Sequence, residues 1–100
     1  MKRESSNKKY LRVADIVAVC DVSAEFIRAL EEENLIKSVR RRRLKCYPLE
    51  QVDRIRVAQI LVREMGVNLA GVEVALHMRE QIISMRRELA VILHRFGRTT

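Results

Sequence analysis

A heptad repeat in the last third of the chain constrains the fold more than any other feature. From Ala75 onward, apolar residues recur at alternating spacings of three and four positions through three full heptads. The repeat predicts one helix from Leu69 to about Phe96, roughly 42 Å long at about 1.5 Å per residue. The rest of a 100-residue chain is too small to cover the apolar stripe of such a helix. We therefore predict a homodimer through this helix, with packing inside one chain as the alternative. The predicted seam consists of Ala75, Met78, Ile82, Met85, Leu89, Ile92 and Phe96.

The composition indicates one mainly α-helical domain. Hydrophobic residues make up 48% of the chain, and there are only three Gly, one Pro and no Trp, so turn formers are scarce. No apolar stretch approaches the roughly 18 residues that span a bilayer, and no hydrophobic signal core follows the basic start MKRESSNKKY. Neither Cys20 nor Cys46 has a metal-binding partner at a suitable spacing. We expect a cytoplasmic protein with no metal or other cofactor and with Cys20 buried.

Two short helices joined by a tight turn are predicted near the start of the domain. Apolar spacing from Val13 indicates a first helix of about eight residues that stops near Asp21. Ser23 is a suitable N-cap for a second helix, and Asn34 is a candidate for the left-handed residue that ends it. These features are typical of a helix-turn-helix, whose second helix normally enters the major groove of DNA. Two short helices at this spacing also occur in proteins that do not bind DNA.

A run of cations follows the second predicted helix. Six of the nine residues from Lys37 to Lys45 are Lys or Arg, and none is acidic. Weak alternation over residues 35–47 predicts a β-hairpin, or wing, with arginines at its tip. Arginine is a good phosphate ligand because its planar guanidinium donates to two oxygens at once. With a net charge of +7, the run favours a nucleic-acid partner, and the alternative is a solvated basic loop or a nuclear-type address. The cations are Lys37, Arg40, Arg41, Arg42, Arg43 and Lys45.

The remaining boundaries follow from helix-end signals. Pro48 suits the first turn of a third helix that runs to about Met65, and Gly66 ends it. Asn68 is a suitable cap for the long fourth helix. The expected organisation is a flexible basic arm over 1–9, a winged helix-turn-helix domain over 10–66, a dimerisation helix over 67–96 and a tail over 97–100.

A catalytic site is not expected. His77 and His94 fall on the long helix without a Ser, Cys or carboxylate at the spacing of a catalytic triad or a metal site. We therefore expect no enzyme activity and no catalytic residues.

The order of these elements resembles the MerR superfamily. The resemblance covers about residues 10–96, through LRVADIVAVCDVSAEFIRALEEENLI, the basic wing and YPLEQVDRIRVAQILVREMGVNLAGVEVAL. The phrase GVNLAGV is similar to the heat-shock repressor branch, and GVEVALHMREQI is similar to the chaperone-modulator proteins. The resemblance implies a winged helix-turn-helix with a small β-hairpin wing and a long C-terminal coiled-coil dimerisation helix.

The resemblance also implies a function. A MerR-type regulator binds double-stranded DNA as a dimer through an antiparallel coiled coil, which here suggests control of heat-shock or chaperone genes. The recognition helix departs from the family pattern at Glu25, Ala29 and Leu30, where the family usually has Arg and then a Tyr pair. A carboxylate that faces phosphates lowers affinity for DNA. The expected DNA-binding residues are Ser23, Glu25, Arg28, Lys37, Arg40, Arg41, Arg42, Arg43 and Lys45.

The same departures leave a second interpretation open. By resemblance, chaperone modulators bind and restrain the J-domain of a DnaJ-like cochaperone. J-domains expose a basic helix, so a modulator should present carboxylates to it. The net charge of +7 and the arginine wing oppose such a partner. The candidate J-domain contacts are Glu25, Glu31, Glu32 and Glu33.

Overall fold

The structure is mainly helical, with a small sheet, as the sequence predicts. The computed structural model describes residues 10–97, so the predicted arm over 1–9 and residues 98–100 of the predicted tail lie outside the described residues. The long apolar repeat forms a single helix, and the cationic run forms the hairpin. In chain order the elements are β1 (Tyr10–Leu11), α1 (Val13–Cys20), α2 (Ala24–Glu32), β2 (Val39–Arg41), β3 (Leu44–Pro48), α3 (Leu49–Arg63) and α4 (Leu69–Gly97).

Local chemistry at the helix ends confirms the predicted helix-turn-helix. The helix α1 ends at Cys20, and its C-cap residue Asp21 has a left-handed φ of 58°. The Ser23 side-chain oxygen then accepts a 3.0 Å hydrogen bond from the backbone N–H of Phe26, so Ser23 is the N-cap of α2. Asn34 follows α2 with a φ of 60°, as expected for a left-handed residue that ends a helix. The tight turn between α1 and α2 is therefore fixed at both sides by short-range contacts.

The sheet has three antiparallel strands in the order β1-β3-β2. The predicted hairpin is confirmed as β2 and β3, and we call it the wing. The register pairs Arg41 with Leu44, which leaves a turn of two residues, Arg42 and Arg43. The strand β1 was not predicted from the sequence, and it pairs Tyr10 with Pro48 on the other edge of β3. Because β3 is central, the wing is joined to the start of the domain.

One hydrophobic core connects all four helices to the sheet. The α2 residue Leu30 and the α3 residue Ile55 are completely buried. Cys20 is buried as predicted, and this burial raises the pKa of its thiol, against a smaller opposing effect from Arg56. The core therefore sets the position of α2 relative to α3 and the sheet. The largest fully buried side chains are Tyr47, Ile16, Ile27, Leu30, Ile36, Ile55, Leu76 and Val72.

The ends of α3 and α4 match the predicted signals with small shifts. Pro48 is the N-cap of α3 and so precedes its first helical residue. The helix ends at Arg63, slightly before the predicted Met65, and Gly66 follows with a φ of 66°. The Asn68 side-chain oxygen accepts a 2.8 Å hydrogen bond from the N–H of Gly71, so the predicted cap of α4 is confirmed. Between Tyr10 and Gly97, no helix is long and apolar enough to cross a membrane.

Candidate nucleic-acid interface

The exposed face of α2 carries more negative than positive charge. Ile27 and Leu30 turn towards the core. Glu25, Arg28 and Glu32 are spaced so that they share the opposite, exposed face. This face therefore offers one guanidinium and two carboxylates to a partner. Arg28 is the only cation along α2, so most of the positive charge of the interface comes from the wing.

The wing reverses through two arginines in the left-handed region. Arg42 has a φ of 56° and Arg43 a φ of 69°. A two-residue hairpin turn with both central φ angles positive is of type I′, which strongly prefers Asn-Gly or similar pairs. For a residue with a Cβ, the left-handed region costs roughly 1–2 kcal/mol. The chain therefore places two cationic side chains at the wing tip at a cost in backbone strain.

The wing has two faces with different surroundings. On the inner face, Arg40 lies opposite Lys45, and Tyr47 follows on the same side of β3 and is buried in the core. The Arg40 guanidinium donates to the carbonyl oxygen of Arg43 at 3.4 Å, which connects β2 to the turn. On the outer face, Arg41 lies opposite Leu44. The cationic run is thus divided between the two sides of the hairpin.

Glu31 ties the end of α2 to the wing. Its carboxylate accepts hydrogen bonds from the Tyr47 hydroxyl at 2.6 Å and the Ser38 hydroxyl at 2.9 Å, and it lies 3.0 Å from the Lys45 ammonium. Burial alone would raise the pKa of Glu31, but the bonds from Tyr47, Lys45 and Ser38 outweigh it and lower that pKa below its usual range. Burial, together with the nearby Glu31 carboxylate, raises the pKa of Tyr47. We call Glu31, Ser38, Lys45 and Tyr47 the Glu31 cluster.

The Glu31 cluster affects both the predicted DNA-binding site and the predicted J-domain contact. Lys45 is paired with Glu31, so its charge is partly neutralised inside the protein. Glu31 is occupied by three internal partners, whereas Glu25, Glu32 and Glu33 are exposed. Among residues 10–97, none of the other five cations of the run forms an ion pair with a carboxylate. Those five are Lys37, Arg40, Arg41, Arg42 and Arg43.

On the outer face, a contact that the sequence did not indicate orients one arginine. The Arg41 guanidinium lies over the Tyr10 ring, 4.2 Å from its centroid. Arg12, Arg41 and Arg42 line the same concavity there, with Tyr10, Leu44 and Cys46. Tyr10 and Arg41 are far apart in the sequence, and only the pairing of β1 with β3 brings them together. No spacing rule would have found this contact.

The predicted seam of α4 lies largely outside the core. Val72 and Leu76 of α4 are buried, and the ion pair between Arg79 and Asp53, at 2.7 Å, joins the helix to α3. A second ion pair joins Arg54 of α3 to Glu80 of α4. Beyond these contacts the helix extends away from the domain, and its side chains from Ser84 onward are exposed. Most seam residues are more than half exposed: Met78, Ile82, Met85, Leu89, Ile92 and Phe96, while Ala75 is partly buried.

The described part of the chain was compared with the geometry that a metal site requires. Within residues 10–97, no group of three or more His, Cys, Asp or Glu side chains is placed to hold a metal ion. His77 and His94 are exposed on α4. The structure instead groups guanidinium groups on a hairpin beside a helix-turn-helix. Such an arrangement can bind phosphate by charge-assisted hydrogen bonds and can lay a helix in a groove.

A comparison with protein families identifies the chain. The sequence model described as MerR HTH family regulatory protein matches residues 11–93, which contain the helix-turn-helix, the wing and most of α4. A search of curated proteins found no match. The family match confirms the resemblance to the MerR superfamily and supports a DNA-binding transcription regulator rather than an enzyme. The chain therefore belongs to the MerR HTH family of regulatory proteins.

Proposed function

We propose that this regulator binds duplex DNA as a homodimer, with α2 directed at the major groove and the wing arginines on the phosphate backbone. The observation that carries the proposal is the set of exposed wing guanidinium groups without carboxylate partners, beside a helix-turn-helix of a regulatory family. Each phosphate contact releases condensed counterions, which favours binding at low salt. The proposed phosphate contacts are Arg28 of α2 and, in and beside the wing, Lys37, Arg40 and Arg43, while Lys45 serves mainly to hold Glu31.

The acidic face of α2 predicts limited reading of bases. Phosphate contacts fix the position of a protein on DNA but carry no sequence information. Of the exposed groups on α2, Ser23 and Glu25 lie at its N-terminal end, which normally contacts base edges. A glutamate accepts a hydrogen bond from the exocyclic amine of cytosine. Sequence preference should therefore be weak and confined to a few positions near Glu25.

The exposed seam of α4 supports the proposed homodimer. Ile82, Met85, Leu89 and Ile92 form one exposed apolar stripe on a helix with no covering element among residues 10–97. Heptad spacing is what a second helix requires for knobs-into-holes packing. A second copy would cover the stripe and would set two wings at a fixed separation. Replacing Ile82 and Leu89 with Asp should give a monomer in sedimentation equilibrium, and an undisturbed dimer would exclude this seam.

A matched pair of variants tests the DNA-binding proposal. The double variant Arg40→Gln/Arg43→Gln removes two wing charges, and Arg87→Gln/Arg95→Gln removes the same charge from the exposed side of α4. Binding to a mixed-sequence duplex should weaken by roughly a hundredfold or more in the wing variant, because each of the two charged contacts contributes roughly 1.5–3 kcal/mol. The α4 variant should stay within about threefold of the parent chain. Equal losses in the two variants would mean that net charge, not the wing, governs binding.

A second candidate function rests on the carboxylates of α2. Glu25, Glu32 and Glu33 are exposed, so a basic helix such as that of a J-domain has a complementary surface. Glu31 is less suited to this role because its carboxylate has three internal partners. Replacing Glu25, Glu32 and Glu33 with Lys should abolish co-purification of a DnaJ-like cochaperone if this function is right. The same variant should strengthen binding to DNA if the DNA interpretation is right.

The likeness of GVNLAGV to heat-shock repressors suggests chaperone genes as targets, and mapping the bound DNA in cells would test this.

A further inference from the structure

The outer face of the wing contains a concavity that the proposed DNA-binding surface beside α2 does not use. It encloses about 240 Å³ and is lined by Tyr10, Arg12, Arg41, Arg42, Leu44 and Cys46. Three separate segments of the chain meet here: β1 with the residue after it, the tip of the wing, and β3. Leu44 and Cys46 point to this side of β3, while Lys45 and Tyr47 point to the inner side. We call this concavity the outer pocket.

The lining of the outer pocket is strongly cationic. Three of its six lining residues are arginines, and none is acidic. The nearest carboxylate along the chain is that of Asp15, which accepts a hydrogen bond from the backbone N–H of Arg12 at 3.3 Å. In the part of the chain between Tyr10 and Gly97, the guanidinium groups of Arg12, Arg41 and Arg42 form no ion pair. Three like charges at one concavity repel each other, so an anion placed between them relieves the repulsion.

The pocket is also partly organised in advance. The Arg41 guanidinium lies over the Tyr10 ring, 4.2 Å from its centroid, and this contact restricts where the guanidinium lies. The type I′ turn fixes the backbone of Arg42 in the left-handed region. Cys46, only 5% exposed, lies at the base of the concavity. An anion therefore meets donors whose positions are already restricted, which lowers the entropic cost of binding.

Size and chemistry together specify the ligand group. Sites that enclose drug-sized ligands occupy roughly 300–1,000 Å³, and the outer pocket is smaller. Guanidinium forks match the geometry of phosphate oxygens and can donate to two at once. We propose that the outer pocket binds a single phosphate group, held by Arg12, Arg41 and Arg42.

Two sources can supply this phosphate. One is a small phosphorylated molecule, in which case the wing carries a ligand site separate from the DNA-binding surface. The other is a backbone phosphate of the bound duplex, in which case the proposal rests on the proposed function and adds Arg12 to the DNA contacts expected from the sequence, beside Arg41 and Arg42. Both sources present phosphate oxygens to the guanidinium groups. They differ in charge, because a backbone phosphodiester carries one negative charge and a phosphomonoester carries about −1.5 to −2 at neutral pH.

NMR titration of the full chain distinguishes the sources. Pyrophosphate is the probe for a small ligand, and a mixed-sequence duplex is the probe for DNA. The reporters are the ring signals of Tyr10 and the backbone amides of Arg41 and Cys46, with the amide of Glu88 on α4 as a remote reference. Saturable shifts at the pocket reporters, without a shift at Glu88, are expected with pyrophosphate, with the duplex, or with both. The probe that causes these shifts identifies the source of the phosphate.

Variants establish that the arginines cause the shifts. Arg12→Gln/Arg41→Gln should weaken binding at the pocket by roughly a hundredfold, since each charged contact contributes about tenfold or more. Arg41→Lys keeps the charge but loses the fork, and should weaken binding by several-fold. Arg87→Gln/Arg95→Gln removes two charges elsewhere and should leave the pocket response unchanged. These variants alter exposed side chains, and the dispersion of the amide spectrum checks that each one is folded.

Two results would overturn the proposal. The first is the absence of saturable shifts at the pocket reporters with both pyrophosphate and the duplex. The second is an equal loss of response in the Arg12→Gln/Arg41→Gln and Arg87→Gln/Arg95→Gln variants. Failure of the DNA-binding proposal is recognised separately, because then the duplex does not bind at all, whereas a pyrophosphate response at the outer pocket remains measurable.

Discussion

Tyr47 donates a 2.6 Å hydrogen bond to the carboxylate of Glu31, and this contact joins β3, the central strand of the sheet, to the last turn of α2. The Tyr47 ring is buried, whereas the Glu31 carboxylate is only partly covered. Ser38 and Lys45 bind the same carboxylate from the wing side. The relative placement of the wing and the recognition helix therefore depends on one acidic residue. Its negative charge does not favour DNA binding, so we assign it a structural role.

Removing the Tyr47 hydroxyl should destabilise the domain. Tyr47→Phe keeps the buried ring but deprives a partly buried carboxylate of its shortest bond, at a cost of roughly 1–3 kcal/mol. Tyr10→Phe is a matched control, because no hydrogen bond of the Tyr10 hydroxyl occurs within residues 10–97, and it should change stability by less than about 0.5 kcal/mol. Urea unfolding of both variants measures the difference. Equal stabilities would show that the Glu31 cluster does not hold the wing.

The Glu31 cluster also predicts how stability depends on pH. The pKa of Glu31 is lowered from its ordinary value of 4.5 in the folded state, so its contribution is present above that value and is lost as the pH falls through the lowered pKa. The pKa of Tyr47 is raised from 10.0, so its contribution is present below that value and is lost as the pH rises through the raised pKa. Glu31→Gln should flatten the acid side of the stability profile. If the loss of stability at acid pH is the same in Glu31→Gln as in the parent chain, Glu31 is not the group responsible for it.

The strained turn of the wing predicts a gain in stability at the expense of binding. Arg42→Asn/Arg43→Gly supplies the residues that a type I′ turn prefers and should stabilise the protein by roughly 1–2 kcal/mol. Arg42→Gln/Arg43→Gln removes the same charges but keeps the strain, so it should not stabilise. Both variants should bind duplex DNA equally weakly. If the Asn-Gly variant is no more stable than the Gln-Gln variant, the turn carries no strain.

Replacing Gly71 with Ala should destabilise the protein, although Gly71 lies in a helix. In a helix, Gly→Ala normally stabilises by roughly 1 kcal/mol. At Gly71 an added Cβ would lie 2.6 Å from Cγ1 of Val67, in the connection before α4. We therefore expect Gly71→Ala to lower the melting temperature, and Val67→Ala/Gly71→Ala to recover part of the loss. A melting temperature that rises in the single variant would mean that Val67 moves aside without cost.

Features set by near neighbours in the sequence were predictable. Ser23 and Asn68 each cap a helix by accepting a bond from an N–H three residues later, and Asn34 ends α2 through its own backbone conformation. The heptad repeat likewise predicted α4, because apolar spacing reports on a single helix. Such signals need no knowledge of the rest of the fold.

Features set by distant parts of the chain were not predictable. The strand β1 is only two residues long and exists because β3 offers an open edge. From the sequence, Glu31 was predicted to be an exposed acid of the recognition helix. In the structure its carboxylate accepts a hydrogen bond from Tyr47, which is 16 residues away in the sequence. The turn at Arg42 and Arg43 has neither Gly nor Asn, so its type followed only from the strand register. In each case contacts between distant parts of the chain determine the local structure, so the neighbouring sequence does not predict it.

The salt dependence of duplex binding tests the central claim most directly. If the wing guanidinium groups contact phosphates, log K should fall linearly with log salt concentration, by roughly 0.9 for each neutralised phosphate. Measured between about 50 and 200 mM salt, the slope should become shallower by about two in Arg40→Gln/Arg43→Gln and should not change in Arg87→Gln/Arg95→Gln. A slope that is the same in the parent chain and the wing variant would contradict the account.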